Sequence, residues 1–561
     1  MKKTLLLSLI IIILGISSCK KADEKQAVFP SSIEAMDGTE QAKGYVFNDK
    51  NQNNTRDKNE PGIPGVAVSN GTDIVITGKD GYYALPLTDK GSVFIIKPAG
   101  WMTPLDEDNL PLFYYLHRPE GSPDDYVYRG IEPTGDLPDE INFPLYEKET
   151  GDKFKILVFG DTQPWDIEEI DYLAEDIIHE LIGISDISLG ITMGDLVFDQ
   201  LELFKPLNQA VAQIGIPWYN VMGNHDINYS APEDILSGES YNSIYGPADY
   251  AFVCGKVHFI ILDDIIHEDK AGSHRYVGGL RPDQFTFLEN YLKTVAKNDL
   301  IVLNIHIPLA KQGNSFRQDD QAKLFDLLEG FPNTLSISAH MHMQENMFFY
   351  RDSSAWQREK PHHHFNVGTT SGSWWRGMKD ETGIPHTMMR DGTPNGYAII
   401  TFDNLDYTID WKVAGSPADH RMNIHLPRGI TAGSDEDPLL TVNFFNGSEY
   451  SEVDYRVKGL SDWKEMERNR KPDPYYLLLD QRWNSFNELG FVEQWENDPS
   501  LSGQSFPGRD LPAPQPSSHL WTYKVGTDWP AGRHTIEVRV KDMYDRVFTS
   551  YHTMRVEEQQ Q

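Results

Sequence analysis

The chain has 561 residues, 39% hydrophobic and 24% charged, which is enough for two or three domains with conventional cores. Its 84 Asp and Glu outnumber 50 Lys and Arg, for a formal net charge of −34 at pH 7. That balance argues against a nucleic-acid backbone binder, which concentrates cations to displace counterions, and describes a soluble acidic surface.

At the amino terminus Lys2 and Lys3 precede an apolar stretch over 5–16, and Ile16-Ser17-Ser18-Cys19 sets small residues before a cysteine. The stretch is shorter than the roughly 20 residues that span a bilayer. Residues 1–19 resemble a bacterial lipoprotein signal. The resemblance implies cleavage that leaves Cys19 acylated and anchors a soluble body to a membrane of the cell envelope, periplasmic or at the cell surface. Residues 20–40 are polar and without periodicity, the composition of a flexible tether. With Cys19 lipidated, Cys254 is the only other cysteine, so no internal disulfide forms; its apolar run 250–254 makes it a small buried hydrophobe.

From 41 to 148, β-like runs at 44–47, 66–68, 73–77, 82–87 and 93–97 alternate with turn signals and predict a small β-sandwich. Within it Asp49, Asn51, Asn53, Asp57 and Glu60 fall at positions one, three, five, nine and twelve of a loop, the ligand spacing of a calcium site. Asn54 stands where an EF-hand needs glycine, and no apolar helices flank the loop. It is similar to the Asp/Asn-rich turn of bacterial adhesin-type B repeats, which implies calcium; a plain solvated turn is the alternative.

From 152 to 415 strands alternate with helical stretches, the pattern of α/β architecture. Asp166 opens a helix whose apolar residues at 167, 170, 173, 174, 177 and 178 share one face, and a second is predicted over 281–295 with Pro282 in its first turn. Five apolar runs each end in residues that bind metals. The run 154–159 reaches Asp161 and Gln163, 189–193 reaches Asp195, and 217–222 reaches Asn224. The runs 300–304 and 335–339 reach His306 and then His340 and His342. Loops at the carboxyl ends of strands converge on one crevice, so ligands distant in sequence can share a site. Carboxylate, amide and imidazole together suit a pair of transition metals such as manganese, iron or zinc better than calcium. Past Gly415-Ser416-Pro417 and an acidic stretch over 431–438, runs at 439–445, 452–457, 520–525 and 535–541 predict a second β-sandwich over 430–558.

In that order, Gly194-Asp195, Gly223-Asn224-His225-Asp226, His306 and His340-x-His342 resemble the motifs of the calcineurin-like metallophosphoesterases. The resemblance implies a two-sheet αββα sandwich, here flanked by amino- and carboxy-terminal β domains as in a three-domain bacterial form; Asn443 to Ser448 and Asp473-Pro474-Tyr475 lie in its carboxy-terminal part. It places Asp161, Gln163, Asp195 and His342 on one metal, and Asp195, Asn224, His306 and His340 on the other. It makes His225 the residue that contacts phosphate and protonates the leaving oxygen; Asp199 could orient it, as a nearby carboxylate does in relatives, although its spacing after Asp195 is one residue longer than usual. Two departures stand out: the first motif ends in Gln163 where histidine is usual, and Ala339 precedes His340 where glycine is usual.

The implied reaction is hydrolysis of a phosphate mono- or diester by a metal-bound hydroxide. For the substrate, Arg317 or Arg376 could pair with phosphate, and Trp374 and Trp375 could stack on a ring; surface cations and domain-interface aromatics are the alternative. His362-His363-His364 sits in a strand-like run whose alternating faces would split the three. The rival reading is a noncatalytic surface module whose β domains bind glycan or protein, with the core as scaffold.

Overall fold

The computed structural model describes residues 29–36, 38–268, 270–309, 316–433, 437–501 and 506–558. The expected signal, Cys19, the tether up to 28 and the polar loop at 311–315 lie outside the described residues. Among the described residues no helix is long and apolar enough to cross a membrane.

Two sheets face each other at the centre. One runs in spatial order Trp218–Asn220, Leu189–Thr192, Lys153–Phe159, Gly396–Asp403, Asp406–Val413, the first three parallel. The other runs Tyr250–Cys254, Val257–Ile261, Leu300–Asn304, Asn333–Ser338, His362–Asn366, Glu345–Phe349, with the middle four parallel. Parallel strands covered on both faces are apolar almost throughout rather than alternating, as Ile156 to Phe159 and Leu300 to Leu303 are. Between the sheets Phe154 and Phe402 stack at 5.0 Å, and Phe259 meets Phe402 edge-on at 5.5 Å. Register aligns the strand ends: Thr192 lies opposite both Phe159 and Asn220, and Asn304 opposite both Ile261 and Ile337. The loops that follow therefore leave from one edge of the sandwich.

Helices cover the outer faces. Asp166 caps Ile167–Leu173 by accepting from the Glu169 amide at 3.0 Å, and the helix continues through one π turn, Ala174–Ile178, to His179–Leu181. Pro282–Leu292 begins with proline at its first position, where no amide is needed, and Gln284 Oε1 accepts from Arg281 N at 2.7 Å. The fold is an αββα sandwich flanked by two sheet-rich domains.

The amino-terminal domain has two four-stranded sheets, among them Glu40–Asn48, Tyr82–Leu87 and Ser92–Ile96. The tether expected to reach residue 40 is ordered earlier than that: Ala84 N donates to Ser31 O and Ile33 N to Ala84 O, both at 3.0 Å, so residues 31–33 add to this domain's edge. In the acidic loop Asn54 takes the left-handed φ of 61° that the missing glycine would have supplied, which asparagine tolerates. The carboxylates there serve the loop itself: Asp49 accepts from the amides of Asn53 and Asn54, Glu60 from those of Lys50 and Asp57, and Asp57 from the side chains of Asn51 and Asn53.

The carboxy-terminal domain packs a four-stranded sheet, with Leu439–Phe444 and Leu520–Lys524, against a five-stranded one with Glu452–Val457, Gly532–Lys541 and Val547–Glu557. It also carries two helices that the sequence reading had not placed, Pro474–Glu488 and Phe491–Glu496.

The three consecutive histidines divide between two faces, as alternation requires. His362 and His364 form a ladder with the neighbouring strand: Thr334 Oγ1 and Ser336 Oγ meet His362, and Ser336 Oγ and Ser338 Oγ meet His364, at 2.6 to 2.9 Å. His363 turns to Asn346 and Tyr407. Burial pushes His362 and His363 down to about 3, so both are neutral members of the core. Ser336→Ala removes the shared hydroxyl between two buried imidazoles, and a loss of about 1–3 kcal/mol is expected in the free energy of chemical denaturation, with near-native spectra.

Candidate metal centre

The seven residues singled out at strand ends meet at this edge. Five of them sit in the left-handed region: Asp161 at φ 25°, Gln163 at 41°, Asp195 at 49°, His340 at 69° and His342 at 50°. Each turn folds the chain back at once after its strand and presents the side chain to the crevice. Ala339 is not among the positive-φ residues, so its replacement of glycine costs nothing; the unusual backbone belongs to His340.

Asp195 is the hub. Its Oδ2 lies 3.2 Å from His306 Nε2 and 3.2 Å from Gln163 Nε2, while Oδ1 accepts from the His225 amide at 2.9 Å. His306 Nε2 also lies 3.2 Å from Asn224 Oδ1 and 3.2 Å from His340 Nδ1. On the other side Asp161 Oδ2 faces His342 Nε2 at 3.0 Å, and Asp161 Oδ1 accepts from the His340 amide at 3.1 Å.

These atoms fit cations better than they fit one another. Among the described residues the partner of His306 Nδ1 is the Met193 carbonyl, 2.8 Å away, and a carbonyl can only accept. Nδ1 therefore carries the proton, and the lone pair of the neutral ring is on Nε2, among carboxylate, amide and imidazole acceptors. Among the described residues, buried Gln163 Oε1 has no donor and Asp161 Oδ2 receives no well-directed hydrogen bond. The charge distribution agrees. Although burial opposes it, Asp195 pushes His306 up to about 10, and a carboxylate that raises proton affinity so far favours any cation at that nitrogen. Burial and neighbouring His306 push His340 down to about 4, which leaves its ring neutral with a free lone pair. Asp195, His306 and His340 have ligand atoms mutually within 4.8 Å.

Two glycines allow the approach. A Cβ on Gly194, at φ 91°, would meet His306 Nδ1 at 2.4 Å, and one on Gly223 would meet Asp195 N at 2.1 Å and Oδ1 at 2.3 Å.

His225 stands beside this cluster. Its Nδ1 is 2.7 Å from Asp199 Oδ1, and its ring stacks on Phe198 with centroids 4.5 Å apart. Burial would lower its proton affinity, but Asp195 and Asp199 outweigh that and hold the imidazole above its ordinary value. The one-residue-longer spacing of Asp199 is absorbed by its own left-handed φ of 60°.

Two buried carboxylates carry roles that the sequence did not assign, although Asp226 stands within the Gly223-Asn224-His225-Asp226 motif. Asp226 accepts from the amides of Gly223, Leu196 and Val197, locking the Asp195 and Asn224 loops together; burial and nearby Asp195 push it up to about 8. Asp264 accepts from the amides of His306 and Ile307, and burial likewise pushes it up to about 8. The doublet Asp263-Asp264 also closes an apolar strand, Val257–Ile261, so the rule that found the other residues was available for it.

The expected substrate contacts separate. Trp374 stacks on His342 at 4.1 Å, and Arg376 lies 5.8 Å from its ring centre while pairing with Asp510 at 2.9 Å. Arg317 is the cap residue of Gln318–Leu328, half-exposed and 4.0 Å from Asp320. Trp375 corrects the reading that it stacks on substrate. It is buried against Tyr172 with its indole N–H on the Thr162 carbonyl at 3.2 Å, because positive φ at both tryptophans sends it into the core.

Three family models match the chain in succession: "N terminal of Calcineurin-like phosphoesterase" over residues 50–131, "Calcineurin-like phosphoesterase" over 154–344 and "C terminal of Calcineurin-like phosphoesterase" over 364–548. No curated protein matches the chain. Among solved structures it is similar to the purple acid phosphatase PPD1 of yellow lupin (Lupinus luteus), at 12% identity and TM-score 0.31 over 68% of this chain and 67% of that one. PhoD is similar at 12% identity and TM-score 0.34, over 62% of this chain and 79% of that one. Vps29 of Chaetomium thermophilum is similar at 12% identity and TM-score 0.21, over 56% of this chain and 95% of that one.

Gly223→Ala drives a methyl group into the Asp195 backbone. Elemental analysis of the purified variant should find less than half the bound transition metal of the parent, with the secondary structure unchanged by circular dichroism.

Proposed function

The chain belongs to the calcineurin-like phosphoesterases and is a metal-dependent phosphoric ester hydrolase, and we propose that it works through two adjacent cations joined by Asp195. The observation that carries this reading is the meeting of two ligand sets on one carboxylate, with a pre-oriented histidine beside it. Asp161, Gln163, Asp195 and His342 would hold one ion, and Asp195, Asn224, His306 and His340 the other. Manganese, iron and zinc all accept such mixtures of imidazole and oxygen. Bound there, the ions supply Lewis acidity toward a phosphoryl group and lower the pKa of water.

The protein's part is positioning and proton transfer. The Met193 carbonyl fixes the tautomer of His306, and Asp264 holds the backbone from which that ring projects. His225 is outside both ligand sets. With Nδ1 engaged by Asp199, its Nε2 is left to meet the leaving oxygen, and Asp195 and Asp199 raise its proton affinity against the effect of burial, the direction a general acid requires. Gln163 offers a neutral amide oxygen, which binds its cation more weakly than imidazole nitrogen would.

We place the enzyme at the cell envelope, held by a lipid on Cys19; the support is the leader sequence, with Lys2, Lys3, the apolar stretch and the small residues before the cysteine. Replacing Cys19 with alanine should move the protein from the membrane fraction to the soluble fraction, read by immunoblot.

Protein loaded with manganese, iron or zinc should hydrolyse p-nitrophenyl phosphate or bis(p-nitrophenyl) phosphate, and Asp195→Ala should fall to background. Two equivalents of bound metal with no turnover across a panel of mono- and diesters would refute the assignment. Asp199→Asn gives a sharper test of His225. The acid is active when protonated, so kcat/KM falls as pH rises through its pKa. Loss of the carboxylate lowers that pKa and should shift the falling limb to lower pH.

A further inference from the structure

We propose that the substrate's leaving alcohol carries a planar ring, aryl or nucleoside, which lies against Trp165. This rests on the reading of His225 as the acid that meets the leaving oxygen. His225 stacks on Phe198 at 4.5 Å and 25°, and Phe198 packs on Trp165 at 4.6 Å and 44°. The three rings form a column that starts at the proton donor and ends in water, where Trp165 is 50% exposed.

The column is held in place. Trp165 N donates to Glu169 Oε2 at 2.7 Å, and the other oxygen of this buried carboxylate pairs with Arg509 at 2.7 Å. Phe198 N donates to the carbonyl of Pro164, the residue before the indole, at 3.1 Å. A large apolar ring anchored through its backbone and packed on Phe198, yet half in water, gains little from folding. It is pre-organised to receive a flat partner, since most of the ordering entropy is already spent. A group bonded to an oxygen that meets His225 leaves the phosphate on the side where this column stands. Stacking on an exposed aromatic is tolerant of ring identity, so it defines a class of leaving group rather than one compound.

A purely structural role is the competing explanation. Trp165 precedes the helix cap Asp166, where an apolar residue can staple onto the fourth helical position, here Ile170. A leucine would serve that role equally well, which separates the two accounts.

The test uses substrate pairs with similar leaving alcohols that differ in the ring: adenosine 5′-monophosphate against ribose 5-phosphate, and benzyl phosphate against cyclohexylmethyl phosphate. Each is assayed as monoester and methyl diester with the metal-loaded full chain. Any compound not turned over is scored by its inhibition constant against p-nitrophenyl ester hydrolysis. The parent should favour the planar member of at least one pair, and the responding pair identifies a nucleoside or aryl source. Trp165→Leu should reduce that preference roughly tenfold, through KM more than kcat, and Trp165→Phe should restore most of it. No planar preference in the parent, or an equal loss on both members in Trp165→Leu, overturns the proposal while leaving the phosphoesterase assignment intact. Failure of the parent to hydrolyse even the p-nitrophenyl esters would instead overturn the assignment on which it rests.

Discussion

The crevice depends on chain reversals made within two to four residues of the strand ends. Non-glycine residues held at positive φ cost on the order of 1–3 kcal/mol each, and five of the seven proposed ligands are held so. The turns are stabilised by one another. His340 N donates to the Asp161 carboxylate, Gln163 N to the Asp195 carbonyl, and His225 N to the Asp195 carboxylate. The carboxylates that would bind cations thus also hold the loops that present them, so strain at one ligand is shared by the whole edge of the sandwich.

The electrostatics point the same way. Asp161, Asp195, Asp226 and Asp264 are all buried at this edge. Among the described residues their ion-pair partners are histidines, His342 for Asp161 and His306 for Asp195, with no lysine or arginine. Such a concentration of buried carboxylates is unfavourable unless positive charge enters or protons are taken up. Backbone amides satisfy Asp226 and Asp264, which are the two pushed toward protonation. Asp195 goes the other way: although burial pushes it up, His306 and His225 hold it well below the usual carboxylate range. Of Asp195, Asp226 and Asp264, Asp195 is thus the one whose neighbours favour the anion.

The flanking domains are part of this support. Arg118 of the amino-terminal domain makes a buried ion pair with Glu239 at 2.8 Å, and Phe94 meets Phe287 of the core at 5.8 Å. On the carboxy-terminal side, buried Asp391 accepts from Gln344 N at 2.8 Å, two residues beyond His342, and pairs with His519 at 3.0 Å. Ser371 Oγ donates to the Asp161 carbonyl at 2.7 Å, fixing the loop that sets Trp374 on His342. Gly377–Met378 of the core pairs with Gly508–Arg509, and Arg509 and Asp510 reach Glu169 and Arg376 at the rim. A domain joined at so many points to ligand loops is a brace for the centre.

The meeting of the proposed ligands at one edge was legible in the sequence because two simple signals coincide, an apolar parallel strand and a ligand-type residue just past its end. The accessory sheets were legible from alternation and turns. Other features depend on tertiary context that no local pattern encodes. Trp374 and Trp375 look equivalent until positive φ at both sends one to His342 and the other into the core, and Trp165 looks like helix-entry packing until Phe198 arrives from another loop. Gln163 shows the limit most clearly. As a residue type it is only a weaker ligand than histidine. In place, its amide divides its ends: Nε2 donates to Asp195 Oδ2 at 3.2 Å, while Oε1 remains buried without a protein donor. A planar amide whose nitrogen is engaged by the Asp195 carboxylate holds its oxygen at a fixed distance from the amide nitrogen and so beside that carboxylate, a placement that residue type alone does not convey.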